Sequence, residues 1–125
     1  MAIQIETENI FSSSAHTRII PVDRTGNMDT GLARQFTARF PGMTSRYWIL
    51  CQQGNIPLGS VMFDDGDGTH IACMAVQEHP GASVQDEVVD NAMETLARHI
   101  KEEGVPSVAL PLLDHGLLGV EMAFQ

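Results

Sequence analysis

Lysine is almost missing from this chain of 125 residues: Lys101 stands alone beside six arginines. With 16 acidic residues against 7 basic ones, the net charge is −9. That balance withholds the positive field on which broad nucleic-acid or anionic-membrane binding relies. It leaves room for one small anion held by local N–H groups. Cysteine is scarce too. Cys51 and Cys73 have neither metal-binding nor redox spacing, and they read as free thiols of a reducing compartment. No apolar run approaches the roughly 18 residues that span a bilayer. The start, MAIQIETEN, lacks the basic and apolar segments of a signal peptide. The expectation is a cytoplasmic protein with no membrane partner, and a length that suits one domain, residues 1–125, with a single core.

Familiar catalytic and metal motifs are also missing. There is no G-x-S-x-G and no clear Cys–His arrangement. Asp65, Asp67 and Gly68 resemble a fragment of a calcium loop, but its first and twelfth positions would be Phe63 and Met74. Neither can be a ligand, so DDGDG reads as an exposed hairpin turn. His70 and Cys73 are three apart in an expected strand and point to opposite faces. No metal and no cofactor are expected.

What is present is an alternation of strands and helices. Ile3, Ile5 and Thr7 alternate with polar residues as in a half-buried strand. Arg18 to Val22 reads as a short buried strand, and a helix starts at Gly31, with Leu32, Gln35, Phe36 and Phe40 at helical spacing. Pro41-Gly42 is expected to stop it. A second helix is predicted from Thr44 to Gln53, with Tyr47, Trp48 and Cys51 in the core and Gly54 as terminator. Ser60–Phe63 and Thr69–Ala75 form a hairpin signal. Ser83 is expected to cap a long helix, with Asp86 three residues later completing a capping box. Val88, Val89, Ala92, Met93, Leu96, Ala97 and Ile100 supply its apolar face. Gly104 and Pro106 end it, and Ser107–Pro111 is a last buried strand. The fold class that follows is α/β, a mixed sheet covered by helices on both faces.

Two glycine-bearing loops, Arg24 to Gly31 and Leu112 to Gly119, leave strands at their carboxyl ends, where such folds bind ligands. The first runs into a helix N-terminus, a place with unpaired N–H groups for an anion. Glu78 and His79 follow a strand end and can do acid–base work, or lie as a solvated loop pair. His115 lines the site or sits in a surface loop.

Taken together, "ENIFSSSAHTRIIPVDRTGNMDTGLARQFTARFPG", "GNIPLGSV" and "VPSVALPLLDHGLLG" resemble the macro domain family, a three-layer fold that binds ADP-ribose. The nearest branch is that of ADP-ribosyl hydrolases that includes the antitoxin of the DNA-modifying DarT–DarG pair. The anchors are Asn9-Ile10-Phe11, Gly26, Met28, Gly31-Leu32-Ala33, Gln35-Phe36 and Phe40-Pro41-Gly42 in the first segment, and Pro111 and Gly116 in the last. The resemblance implies that Gly26, Met28 and Gly31, flanked by Arg24 and Leu32, line the distal ribose and diphosphate. It places Asp114, His115, Gly116, Leu117 and Gly119 on the other side of the diphosphate, and Asn9 and Ile10 at the adenine.

The departures bear on catalysis. The asparagine that usually faces the distal ribose is replaced near Asp23. Gln77 stands where this branch has a lysine that attacks the sugar, and glutamine is no nucleophile. Leu118 stands where its second loop has an aspartate. Asp114 would repel a diphosphate unless a cation such as Arg24 compensates. The expectation is an ADP-ribose-binding module without efficient turnover, in a sensor or sequestering role, of the kind a phage or mobile element encodes. The alternatives are a hydrolase using Asp23, His79 or His115, and an interaction module with a vestigial pocket. The apolar tail Leu117, Leu118, Val120, Met122 and Phe124 follows the last strand where relatives continue with a further helix and strand. It leads to the expectation of a homodimer in which each tail covers the other subunit.

Overall fold

The computed structural model describes residues 2–6, 14–28, 31–54, 56–66, 68–80 and 82–111. Strands β1 (Ala2–Glu6), β2 (Thr17–Asp23), β3 (Val61–Asp64), β4 (His70–Gln77) and β5 (Ser107–Pro111) form one sheet in the order β1-β5-β2-β4-β3. All neighbours run parallel except β3, which turns back antiparallel on β4. Helices α1 (Gly31–Arg39) and α2 (Pro41–Gln52) cover one face, and α3 (Asp86–Glu103) covers the other. This is the expected three-layer α/β arrangement.

The strands show why two covering layers are needed. Residues 71–76 of β4 are all buried, the continuous apolar run of a strand covered on both sides. Ala72, Met74 and Val76 join Ile19, Val108 and Leu110 under Val89, Met93, Leu96 and Ile100 of α3. Ile71, Cys73 and Ala75 point the other way, joining Ile20 and Val22 under Phe36, Met43 and Tyr47. His70 and Cys73 therefore lie on opposite faces, one exposed and one buried.

Three local expectations are corrected. Pro41 opens α2 at its first turn, where its missing N–H is not needed and its fixed φ suits the helix; the helix therefore begins three residues before Thr44. The preceding helix ends at Arg39, so Pro41-Gly42 starts one element rather than stopping another. Ser83 does not cap α3. Its N-cap is Gln85, without a side-chain cap bond, and Asp86 and Glu87 fall in the first turn, where their charge suits the helix dipole. At the other end Gly104 takes φ 63°, and Val105 N–H reaches Ile100 O at 3.1 Å, the closure that a left-handed glycine permits.

Candidate functional site

Among the described residues, a linked set of polar groups lies where β2 and β4 end together. A register shift between Val22 and Asp23 sets Asp23 opposite Gln77, and Arg24 N–H donates to Gln77 O at 2.9 Å. Asp23 is 5% exposed. Its Oδ1 accepts from Thr25 N–H at 2.8 Å and from the Thr25 hydroxyl at 2.5 Å, a side-chain turn that shapes the loop from within. The Tyr47 phenol donates to the Asp23 carbonyl at 2.7 Å in buried surroundings. Burial pushes that phenol above its ordinary titration range, so it remains a donor.

Gly26 lies further along the same loop with φ 85°. A Cβ there would come within 3.1 Å of the Trp48 Cα and 3.2 Å of its indole Cδ1. Glycine is needed both for the left-handed backbone and for this close approach. Met28, which follows, is buried. Its carbonyl lies 3.3 Å from the Thr37 hydroxyl of α1, and Gln52 Nε2 reaches Thr25 O at 3.5 Å. The loop is thus tied to both helices before α1 begins at Gly31. No acidic residue occupies the first turn of α1, so that N-terminus keeps its attraction for an anion.

Around this loop stand the other sequence-derived candidates. Arg24 pairs with Glu78 at 3.3 Å on the surface. Gln77 is half-buried, and its Nε2 donates to Ala82 O at 2.8 Å. His79 is exposed, with Nδ1 at 2.9 Å from Pro80 O. A carbonyl can only accept, so Nδ1 is the donor in this contact. Asp23, Arg24, Gly26, Met28, Gln77 and His79 are therefore gathered at one end of the sheet. Gly31 and Leu32 contribute the backbone that opens α1. Asn9, Ile10, Asp114, His115, Gly116, Leu117, Leu118 and Gly119 lie outside the described residues, as does the tail from Val120 to Phe124.

Trp48 requires a correction. It was expected in the core with Tyr47, yet it is 52% exposed while Tyr47 is fully buried. One step along a helix turns the side chain by about 100°, enough to leave the face defined by Met43 and Tyr47. With Ile49, Trp48 borders a cleft of about 650 Å³ whose other wall is the Thr25–Met28 loop. Cys51 lies behind it, its thiol pushed up by burial, which makes it a poor nucleophile.

A second cavity, about 360 Å³, lies at the opposite end of the sheet, among His16, Phe63, Asp64, His70 and His99. His16 stacks on His70 with centroids 4.1 Å apart, and Phe63 on His99 at 3.6 Å. Asp64 there is bound by Arg46, Nε to Oδ2 at 2.5 Å and Nη2 to Oδ1 at 2.7 Å. Arg46 thus ties α2 to the hairpin, and DDGDG is not solvated throughout. Among the described residues no three His, Cys, Asp or Glu side chains are placed to hold a metal ion. No helix among them is long and apolar enough to cross a membrane.

Residues 19–123 match the family model described as Macro domain. The chain is 33% identical over 117 residues to a DNA ADP-ribosyl glycohydrolase of Mycobacterium tuberculosis, covering 90% of this chain and 33% of that protein. It therefore spans about a third of the length of the curated relatives it matches. Among solved structures it resembles the macrodomain of Mycobacterium tuberculosis DarG, with a TM-score of 0.83 and 26% identity over 98% of this chain and 90% of that one. It also resembles Thermosipho africanus DarTG in complex with ADP-ribose, with a TM-score of 0.75 and 22% identity over 90% of this chain and 33% of that one. The last similarity speaks to the fold alone.

Proposed function

The chain belongs to the macro domain family, and on that premise we propose that it binds ADP-ribose, free or joined to a DNA base, and turns it over slowly. Binding is supported by the loop from Asp23 to Met28, held from within by Asp23 and from below by Tyr47 beside a helix N-terminus. The N–H groups that open a helix recognise phosphate without a positive side chain, which suits an acidic chain. The relatives' activity on ADP-ribosylated DNA supplies the substrate class for this reading.

Slow turnover rests on one observation. Gln77, which the resemblance sets at the position of the branch's attacking lysine, offers an amide already bonded to Ala82 O, and an amide cannot attack a sugar carbon. A hydrolytic reading is favoured instead by His79. Its exposed Nε2, with Nδ1 held by Pro80 O, is arranged as a general base for water. Titration calorimetry with ADP-ribose tests the first reading: a wild-type protein that takes up none at millimolar concentration overturns it. Product analysis on an ADP-ribosylated oligonucleotide decides between the two. Turnover on the order of 1 per second, abolished by His79→Ala, would establish the hydrolase. The cytoplasmic location, the sensor or sequestering role and the homodimer go with the binding reading, and a concentration-independent monomer mass in light scattering removes the last.

A further inference from the structure

The cleft between Trp48 and the Thr25–Met28 loop is not accounted for by a diphosphate. Among the described residues that line it, none is charged, although 18% of the chain is Asp, Glu, Lys or Arg. Its polar groups are the hydroxyls of Thr25, Thr37, Thr44 and Ser45 and the amide of Asn27. Its apolar wall is the indole of Trp48, the single tryptophan of the chain, 52% exposed. Gly26 packs under the main chain of Trp48, so the ring is carried on a fixed base. A wide aromatic face beside uncharged donors and acceptors suits a neutral planar heterocycle, stacked on the ring and bonded at its edge.

We propose that this cleft binds a base of single-stranded DNA, next to the ADP-ribosylated nucleotide held by the same loop. The inference rests on the reading that the ligand is ADP-ribose on DNA, and it names the part of the substrate that reading leaves unplaced. One wall of the cleft is the backbone of the diphosphate loop itself, so a base seated there is continuous with the candidate site. Stacking carries the contact, and the acidic surface contributes no attraction for phosphates. Binding should accordingly be weak for bare DNA and nearly independent of salt, unlike the steep salt dependence of proteins that neutralise phosphates.

Trp48 reports on its own site. Titration of the full chain with a single strand of ten thymidines should quench the Trp48 emission saturably, with the midpoint moving less than two-fold between about 50 and 200 mM salt. The same sequence in a duplex, its bases already stacked, should not quench it. Trp48→Ala should weaken anisotropy-measured binding of the labelled strand at least about five-fold, while Trp48→Phe restores part of it. Both variants should still unfold in a single cooperative transition, which shows that a loss of strand binding is not a loss of fold. Absence of saturable quenching at millimolar strand, or equal binding by Trp48→Ala, overturns the proposal. If quenching is seen but wild type binds no ADP-ribose, the cleft stands and the ADP-ribose reading falls; the reverse result removes only the cleft.

Discussion

The hydroxyl of Tyr47 on α2 donates 2.7 Å to the main-chain carbonyl of Asp23 at the end of β2, across 24 residues of sequence. This bond joins the buried side of a helix to the turn that opens the candidate site. Tyr47→Phe keeps the ring but leaves the Asp23 carbonyl without its donor in a buried place. A loss of about 1–3 kcal/mol is expected for an orphaned acceptor, read by urea denaturation, together with weaker ADP-ribose binding in calorimetry. An unchanged unfolding free energy would mean that water replaces the phenol.

Gly26→Ala meets two obstacles at once, a left-handed φ of 85° and a Cβ 3.1 Å from the Trp48 Cα. The backbone cost alone is on the order of 1–2 kcal/mol. The expected outcome is a lower melting temperature and a lost or much weakened ADP-ribose heat. Alanine at the exposed Gly68, which has φ 81° but nothing within 4 Å of the added Cβ, should cost less. If the two variants melt together, the packing against Trp48 does not constrain the loop.

Gln77→Lys combined with Leu118→Asp would supply the residue types that the resemblance to the ADP-ribosyl hydrolase branch leads one to expect at these two positions. If these two positions limit chemistry as proposed, release of ADP-ribose from a modified oligonucleotide should rise at least about ten-fold, a barrier change of about 1.4 kcal/mol. Gln77→Lys alone also breaks the bond to Ala82 O and should soften the loop before α3. No gain in product release from the double variant would place the limit elsewhere, with His79 the next residue to change.

Arg46 and its hydrogen bonds hold the Asp64 carboxyl below the usual carboxylate range. For a depressed folded value, the pair's contribution is present above the ordinary aspartate range and is lost as pH falls through the lowered folded value. Arg46→Met at neutral pH should cost about 1–2 kcal/mol, less than a fully buried pair because Arg46 is 41% exposed. The difference from wild type should shrink in acid, where Asp64 is protonated in both. Chemical denaturation across pH 3–7 would show it, and a pH-independent difference would contradict the assignment.

His16 acts in the same direction, at a higher pH. Burial, then the nearby His70 and His99, lower its pKa from the ordinary 6.5. The unfolded chain binds this proton more readily, so stability should fall as pH drops below about 6.5 and level off below the folded value. The groups around it are His70 from β4, His99 and Glu103 from α3, and Asp64 and Asp65 at the end of β3. His16→Gln should flatten this part of the melting-temperature profile modestly, since the ring is exposed. An identical slope in the variant would contradict the assignment to His16.

The order of strands and helices was open to reading in the amino-acid sequence because each element carries its burial pattern locally. The run Ile71–Val76 needs cover on two faces, α3 needs it on one, and Gly26 and Gly104 mark backbone that side chains resist. The family itself was legible in residues 19–123, because short stretches such as the one around Gly26 carry a backbone conformation that few other residues permit. Periodicity gives the direction of an apolar face without its edge, so only the position of the sheet against α2 put Tyr47 inside and Trp48 outside. Pro41 suits a helix's first turn as well as the end of another, and the packing of α1 against α2 made it the former. The turn made by Asp23 under Tyr47, the anchoring of Gln77 to Ala82 and the Arg46–Asp64 pair were decided by tertiary structure alone. A polar side chain takes whichever partner the fold brings within hydrogen-bond distance, and no local pattern names a partner 18 or 24 residues away.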